Sequence, residues 1–114
     1  MARAESSFGA VSALGTSYTL LATVPSATTW NLHLHIANRV STTVKVRVFI
    51  ADTSWTSGEP TGGTLVAAIA YDLAINSGEI VQITGIVMTA TDELVVYSDT
   101  ASSVDIIASG VAIT

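Results

Sequence analysis

The chain has 114 residues and a mass of 11.7 kDa, with 49% hydrophobic and 11% charged residues and a net charge of −5. That length holds one core and excludes two independent domains. Four basic residues, Arg3, Arg39, Lys45 and Arg47, are too few to neutralise a phosphate backbone, which excludes nucleic acid as a partner, and the lack of cysteine excludes a disulfide framework, a thiolate metal site and a cysteine nucleophile.

Ser and Thr make up roughly a quarter of the residues, and short hydroxyl and β-branched side chains suit strands and turns better than helices. Mean hydropathy is +0.57, yet no apolar run nears the ~18 residues a membrane helix needs, so no membrane partner is expected. The opening Met1-Ala2-Arg3-Ala4-Glu5 is too polar for a signal peptide, and we expect use without secretion. High hydropathy with few charges implies a surface partly covered by partners, as in obligate oligomers.

Residues 1–14, small and polar around Phe8, read as an N-terminal arm that orders against a neighbour, leaving 15–114 as the folded domain. A first β-prone run spans Tyr18 to Val24 and stops at Val24-Pro25-Ser26. From Trp30 to Ala37 the chain alternates strictly: Trp30, Leu32, Leu34 and Ile36 on one face, Asn31, His33, His35 and Ala37 on the other. The pattern returns with Val44, Val46, Val48 and Ile50 inward and Lys45, Arg47 and Phe49 outward. A hairpin with residue 36 opposite 44, 34 opposite 46 and 32 opposite 48 would unite the apolar faces. It would also set His35 beside Lys45 and His33 beside Arg47 as a small basic patch.

The segment 52–63, DTSWTSGEPTGG, has no strand character, and loops of this length are usually functional or disordered. Further β-prone runs follow at Thr64 to Ile69, Glu79 to Thr84, Glu93 to Ser98 and Val104 to Thr114, separated by turns such as Asn76-Ser77-Gly78, Ala90-Thr91-Asp92 and Ser98-Asp99-Thr100. A weak helical period over Val66 to Ala74 is assigned to strand. Seven or eight short strands with this punctuation predict an all-β fold, a single antiparallel β-sandwich resembling a jelly roll.

No catalytic constellation emerges, and the expectation is a protein that is not an enzyme and carries no cofactor. His33 and His35 at i and i+2 point the same way, but a metal needs more ligands and the expected neighbours Lys45 and Arg47 would repel it. The one adjacent acid pair, Asp92-Glu93, sits at a turn where acids solvate and cap. There is neither a Gly-x-Ser-x-Gly nucleophile motif nor a phosphate-binding loop with its lysine. Trp55 either packs back to plug one end of the sandwich, the reading we favour because a lone exposed indole is costly, or projects as a recognition group. The residues expected to carry interactions are Phe8, His33, His35, Lys45, Arg47 and Trp55.

The order of segments resembles that of small all-β structural proteins of tailed bacteriophages: Tyr18-Thr19-Leu20-Leu21, Val24-Pro25, Leu34-His35-Ile36-Ala37-Asn38-Arg39, Val44-Lys45-Val46-Arg47-Val48, Ala70-Tyr71-Asp72, Ile75-Asn76-Ser77-Gly78-Glu79, Thr84-Gly85-Ile86-Val87-Met88, Thr91 to Ser98 and Gly110-Val111-Ala112. The resemblance runs from Tyr18 to the C-terminus and supplies no catalytic residue. It implies a virion location, with assembly in the host cytoplasm. The implied role is a capsid decoration or cement protein on the outer shell, whose partners are its own copies, typically as a homotrimer, and the major capsid protein or other virion proteins. The alternative it leaves is a tail, baseplate or fibre component that binds a receptor through loop 52–63.

Overall fold

The two alternating segments do share one core, but they reach it from opposite sides. The computed structural model describes residues 3–114, and in it eight strands form two four-stranded antiparallel sheets. In chain order they are β1 (Arg3–Leu14), β2 (Thr19–Thr23), β3 (Thr29–Asn38), β4 (Val44–Ala51), β5 (Leu65–Ile75), β6 (Ile80–Met88), β7 (Glu93–Ser98) and β8 (Val104–Ile113), with a single 3-10 turn at Gly62–Thr64. The first sheet runs β1-β8-β3-β6 and the second β2-β7-β4-β5. This interleaving, in which every consecutive pair of strands but β4 and β5 passes from one sheet to the other, is the jelly roll expected from the strand pattern.

Leu32, Leu34 and Ile36 of β3 pack against Val44, Val46 and Val48 of β4 within one buried cluster, joined by Leu14, Val24, Ile75, Met88, Leu94, Val96, Val104 and Ile106. Stacked sheets lie about 10 Å apart, so facing apolar stripes exclude water as completely as neighbours in one sheet would.

The expected β3–β4 hairpin is therefore not present. β3 pairs with β6 and β8, and β4 with β5 and β7. The link between them crosses from one sheet to the other, and buried Asn38 holds it: its Nδ2 donates to the carbonyls of Thr42 and Ile75 at 2.9 Å each, and its Oδ1 accepts from Val40 N at 2.9 Å. A side chain that satisfies three backbone groups replaces the ladder bonds a hairpin turn would have made.

Residues 3–14 of the expected arm form strand β1, paired along β8 from Arg3 opposite Ile113 to Leu14 opposite Val104; residues 1 and 2 of that arm lie outside the described residues. Phe8 stacks on Trp30 with ring centroids 4.1 Å apart, so its ring is used inside the chain's own sandwich. Gly9 permits β1 to close against β2 of the other sheet, since a Cβ there would lie 2.6 Å from the Leu21 carbonyl oxygen.

Candidate functional site

With the core filled, function has to be sought on the two outer faces. Each carries the same local device at its centre. In the second sheet, Val46 lies opposite Leu73 and Val48 opposite Ala70, so a bulge sets two residues of β5, Tyr71 and Asp72, against the single Arg47 of β4. Asp72 takes a left-handed backbone (φ 54°) to do so. In the first sheet, Leu32 lies opposite Ile86 and Leu34 opposite Ile83, so Thr84 and Gly85 of β6 oppose the single His33 of β3.

Around Arg47 the bulge closes the surface. The guanidinium donates through Nε to Asp72 Oδ1 at 2.7 Å, and through one terminal nitrogen to Glu59 Oε1 at 2.6 Å and to the Tyr18 hydroxyl at 2.9 Å. It lies 4.1 Å over the Tyr71 ring and 5.5 Å from that of Tyr97, and Tyr97 stacks on Tyr18 at 4.4 Å. The Asp72 carboxylate, then the Tyr18 hydroxyl, hold the guanidinium's affinity for its proton above the ordinary value, and Arg47 in turn holds Asp72 below the usual carboxylate range. Burial is the main cause that raises the Tyr18 phenol.

Glu59 belongs to the loop that follows β4, so this network pins the loop to the sheet. Beneath it Phe49, Ala51 and Val95 form a second small apolar cluster with Tyr18 and Trp55 packed on it. The Trp55 indole N–H donates to the Gly58 carbonyl at 2.8 Å, and Asp52 binds the Ser54 amide and hydroxyl, which lowers its own proton affinity. Trp55 thus packs back as favoured, on the sheet's outer face and not at one end of the sandwich.

Around His33 the bulge leaves the surface open. Gly85 has no side chain to cover the imidazole, and His33 Nε2 lies 2.9 Å from Ser109 Oγ on β8. A shallow depression of about 560 Å³ opens there, lined among others by Glu5, Asn31, His33, Thr84, Gly85 and Ser109. Gly110 is required by close approach: a Cβ would fall 2.2 Å from the Asn31 carbonyl oxygen and 2.7 Å from Leu32 Cα. The rows on either side carry Ile107 next to His35 and Gln82, and Val111 next to Asn31 and Val87.

The expected basic patch is corrected accordingly. His33 faces Ser109 and His35 faces Ile107 and Gln82, whereas Lys45 faces Ala74 and Arg47 faces Tyr97. The histidines and the cations sit on opposite outer faces, so Lys45 and Arg47 bear on no metal at the imidazoles. Among the described residues no group of three or more His, Cys, Asp or Glu stands together.

Sequence reasoning found Arg47 but missed its partners Tyr18, Glu59, Tyr71, Asp72 and Tyr97, which only the bulge and the sheet order assemble. It also missed Ile80, Val87 and Ile107, although Ile106-Ile107 and Ile86-Val87 are adjacent apolar pairs on strands, and one member of such a pair has to face outward.

No protein-family model matches the chain, and no curated protein matches its sequence. Among solved structures, a chain from the structure of infectious bursal disease virus Gx strain matches with a TM-score of 0.43 and 14% identity, over 96% of this chain and 28% of that one. The present chain therefore spans under a third of that chain's length.

Proposed function

We propose that this chain is a non-enzymatic structural protein of a virion, a capsid decoration or cement protein that works as an oligomer on the outer shell. One observation supports this above the rest: the outer face of the β1-β8-β3-β6 sheet presents Ile80, Val87 and Ile107 to solvent around an open depression, and no described residue covers them. Exposed apolar surface of this kind is the mark of a protein that packs against others. The resemblance of the segments from Tyr18 to the C-terminus to phage structural proteins supplies the kind of assembly. The receptor-binding alternative draws less support, because the Trp55 ring is engaged with Phe49 and Val95 and its N–H is already bonded.

The test is the number of copies per purified particle, by quantitative mass spectrometry of the virus that encodes the chain. Hundreds of copies, scaling with shell sites, are expected. A handful would move the chain to the tail, and absence from the particle would overturn the reading.

A further inference from the structure

We infer that the outer face of the β1-β8-β3-β6 sheet seats the same face of a second copy of this chain, making a two-fold pair. The occupant is indicated first by charge. The acids Asp52, Glu59, Asp72, Asp92, Glu93 and Asp99 lie on the second sheet and its loops. Against these six stand only Lys45 and Arg47, so −4 of the net charge of −5 belongs to that side. The first sheet and its flanks hold Arg3, Glu5, Arg39, Glu79 and Asp105, a sum of −1, with Arg39 already 3.4 Å from Asp105 and Glu5 opposite Val111 at the rim of the depression. Two copies of an acidic protein repel one another least where the charge is lowest, which is this side of the sandwich.

Shape points the same way. Ile80 is 60% exposed, Val87 58% and Ile107 46%. Val87 and Ile107 belong to the rows on either side of the depression at His33 and Ser109. Projecting apolar side chains beside a hollow on one face are what an isologous contact needs, because each copy supplies both knob and hole.

Area suffices as well. Four strands about 4.8 Å apart, rising about 3.3 Å per residue over about ten residues, give a face of about 600 Å², or about 1,200 Å² for the pair, the lower bound of specific interfaces. A reversible, concentration-dependent dimer follows. The pairing gives a concrete contact to the oligomer of the proposed function, and rests on that reading only for its purpose in the particle.

Sedimentation velocity of the purified chain across micromolar to millimolar concentration tests it, alongside Ile107→Asp, Val87→Asp and, as a control on the other sheet, Val66→Asp, whose parent residue is 54% exposed. The wild type and Val66→Asp should dimerise alike. Ile107→Asp and Val87→Asp should weaken association at least about tenfold, because a charge is buried without a partner, while their melting curves stay near wild type, since the parent side chains are about half exposed. A wild type that stays monomeric throughout, or association lost in Val66→Asp but kept in Ile107→Asp, overturns the inference. Particle copy number is read separately, so either claim can fail without the other.

Discussion

The two outer faces of this sandwich start from the same construction and end in opposite states. On each, a bulge on an edge strand sets two residues against one on the neighbouring central strand: Tyr71 and Asp72 against Arg47, Thr84 and Gly85 against His33. The first bulge supplies a ring and a carboxylate, which with Glu59 and Tyr18 saturate the guanidinium and fasten a loop over the sheet. The second supplies a hydroxyl and no side chain at all, and the face stays open. At each bulge, then, the residues on the edge strand decide whether the central side chain opposite is enclosed by its own chain or left beside an open hollow.

The largest effect should come from the backbone beneath the open face. Gly110→Ala forces a Cβ to within 2.2 Å of the Asn31 carbonyl oxygen, between two central strands that cannot part without breaking their ladder. We expect a loss above ~3 kcal/mol or failure to fold, read by urea denaturation. Gly58 of the closed loop has open space where a methyl would stand, with nothing within 4 Å, but a φ of +74°. Its change to Ala should cost only about 1 kcal/mol. Equal losses at the two sites would erase the contrast.

A smaller effect is expected where the closed face is undone. Arg47→Ala leaves Glu59, Asp72 and Tyr18 without their shared donor, and loop 52–63 should loosen. The readout is a red shift of Trp55 emission over the constant signal of buried Trp30. Arg47→Lys should not restore it, because an ammonium cannot serve Asp72 and Glu59 in the planar fork geometry of a guanidinium. An unshifted spectrum would mean that the loop holds without the network.

The smallest effect is a gain. Burial, then the nearby Asp52 charge, raises the proton affinity of Glu93, and its Oε1 is buried without a partner. A folded-state pKa raised in this way favours folding while the group is protonated, and that contribution fades as pH rises through the folded value. Glu93→Gln should therefore stabilise the protein at neutral pH by up to about 1 kcal/mol, and the gain should vanish in acid. Asp105 has the opposite sign. The Ala13 amide, 2.8 Å from its Oδ1, leads the causes that depress it, so its contribution is present above the ordinary aspartate range and lost as pH falls through the folded value. Thermal melts across pH for the wild type and for Glu93→Gln check both signs.

Much of this fold is legible in the residues, and the places where it is not have a common cause. Strand alternation announces which side chains of Trp30 to Ile36 and Val44 to Ile50 point inward, and turn residues announce where strands stop. Neither says whether two apolar stripes meet edge to edge in one sheet or face to face across a sandwich, since both exclude water equally well. Choosing the hairpin over the crossover displaced His33 and His35 onto the side of Lys45 and Arg47. The strand at Arg3–Leu14 is hidden for a related reason: its alternation is weak because much of the strand is exposed on both sides, and its pairing with β8 comes from residues about a hundred positions away. Bulges leave the faintest trace, so the partners of Arg47 and the depression at His33 could only be seen in three dimensions.

Arg47 is enclosed by the chain's own side chains and loop, whereas the surface at His33 lies open for a second copy. The most direct measurement is the set of backbone amide chemical shifts of the purified protein as it is diluted. We predict concentration-dependent shifts at Asn31, His33, Val87, Ile107 and Ser109, with loop 52–63, Tyr71 and Tyr97 unchanged. Shifts centred on that loop, or none at any concentration, would contradict it.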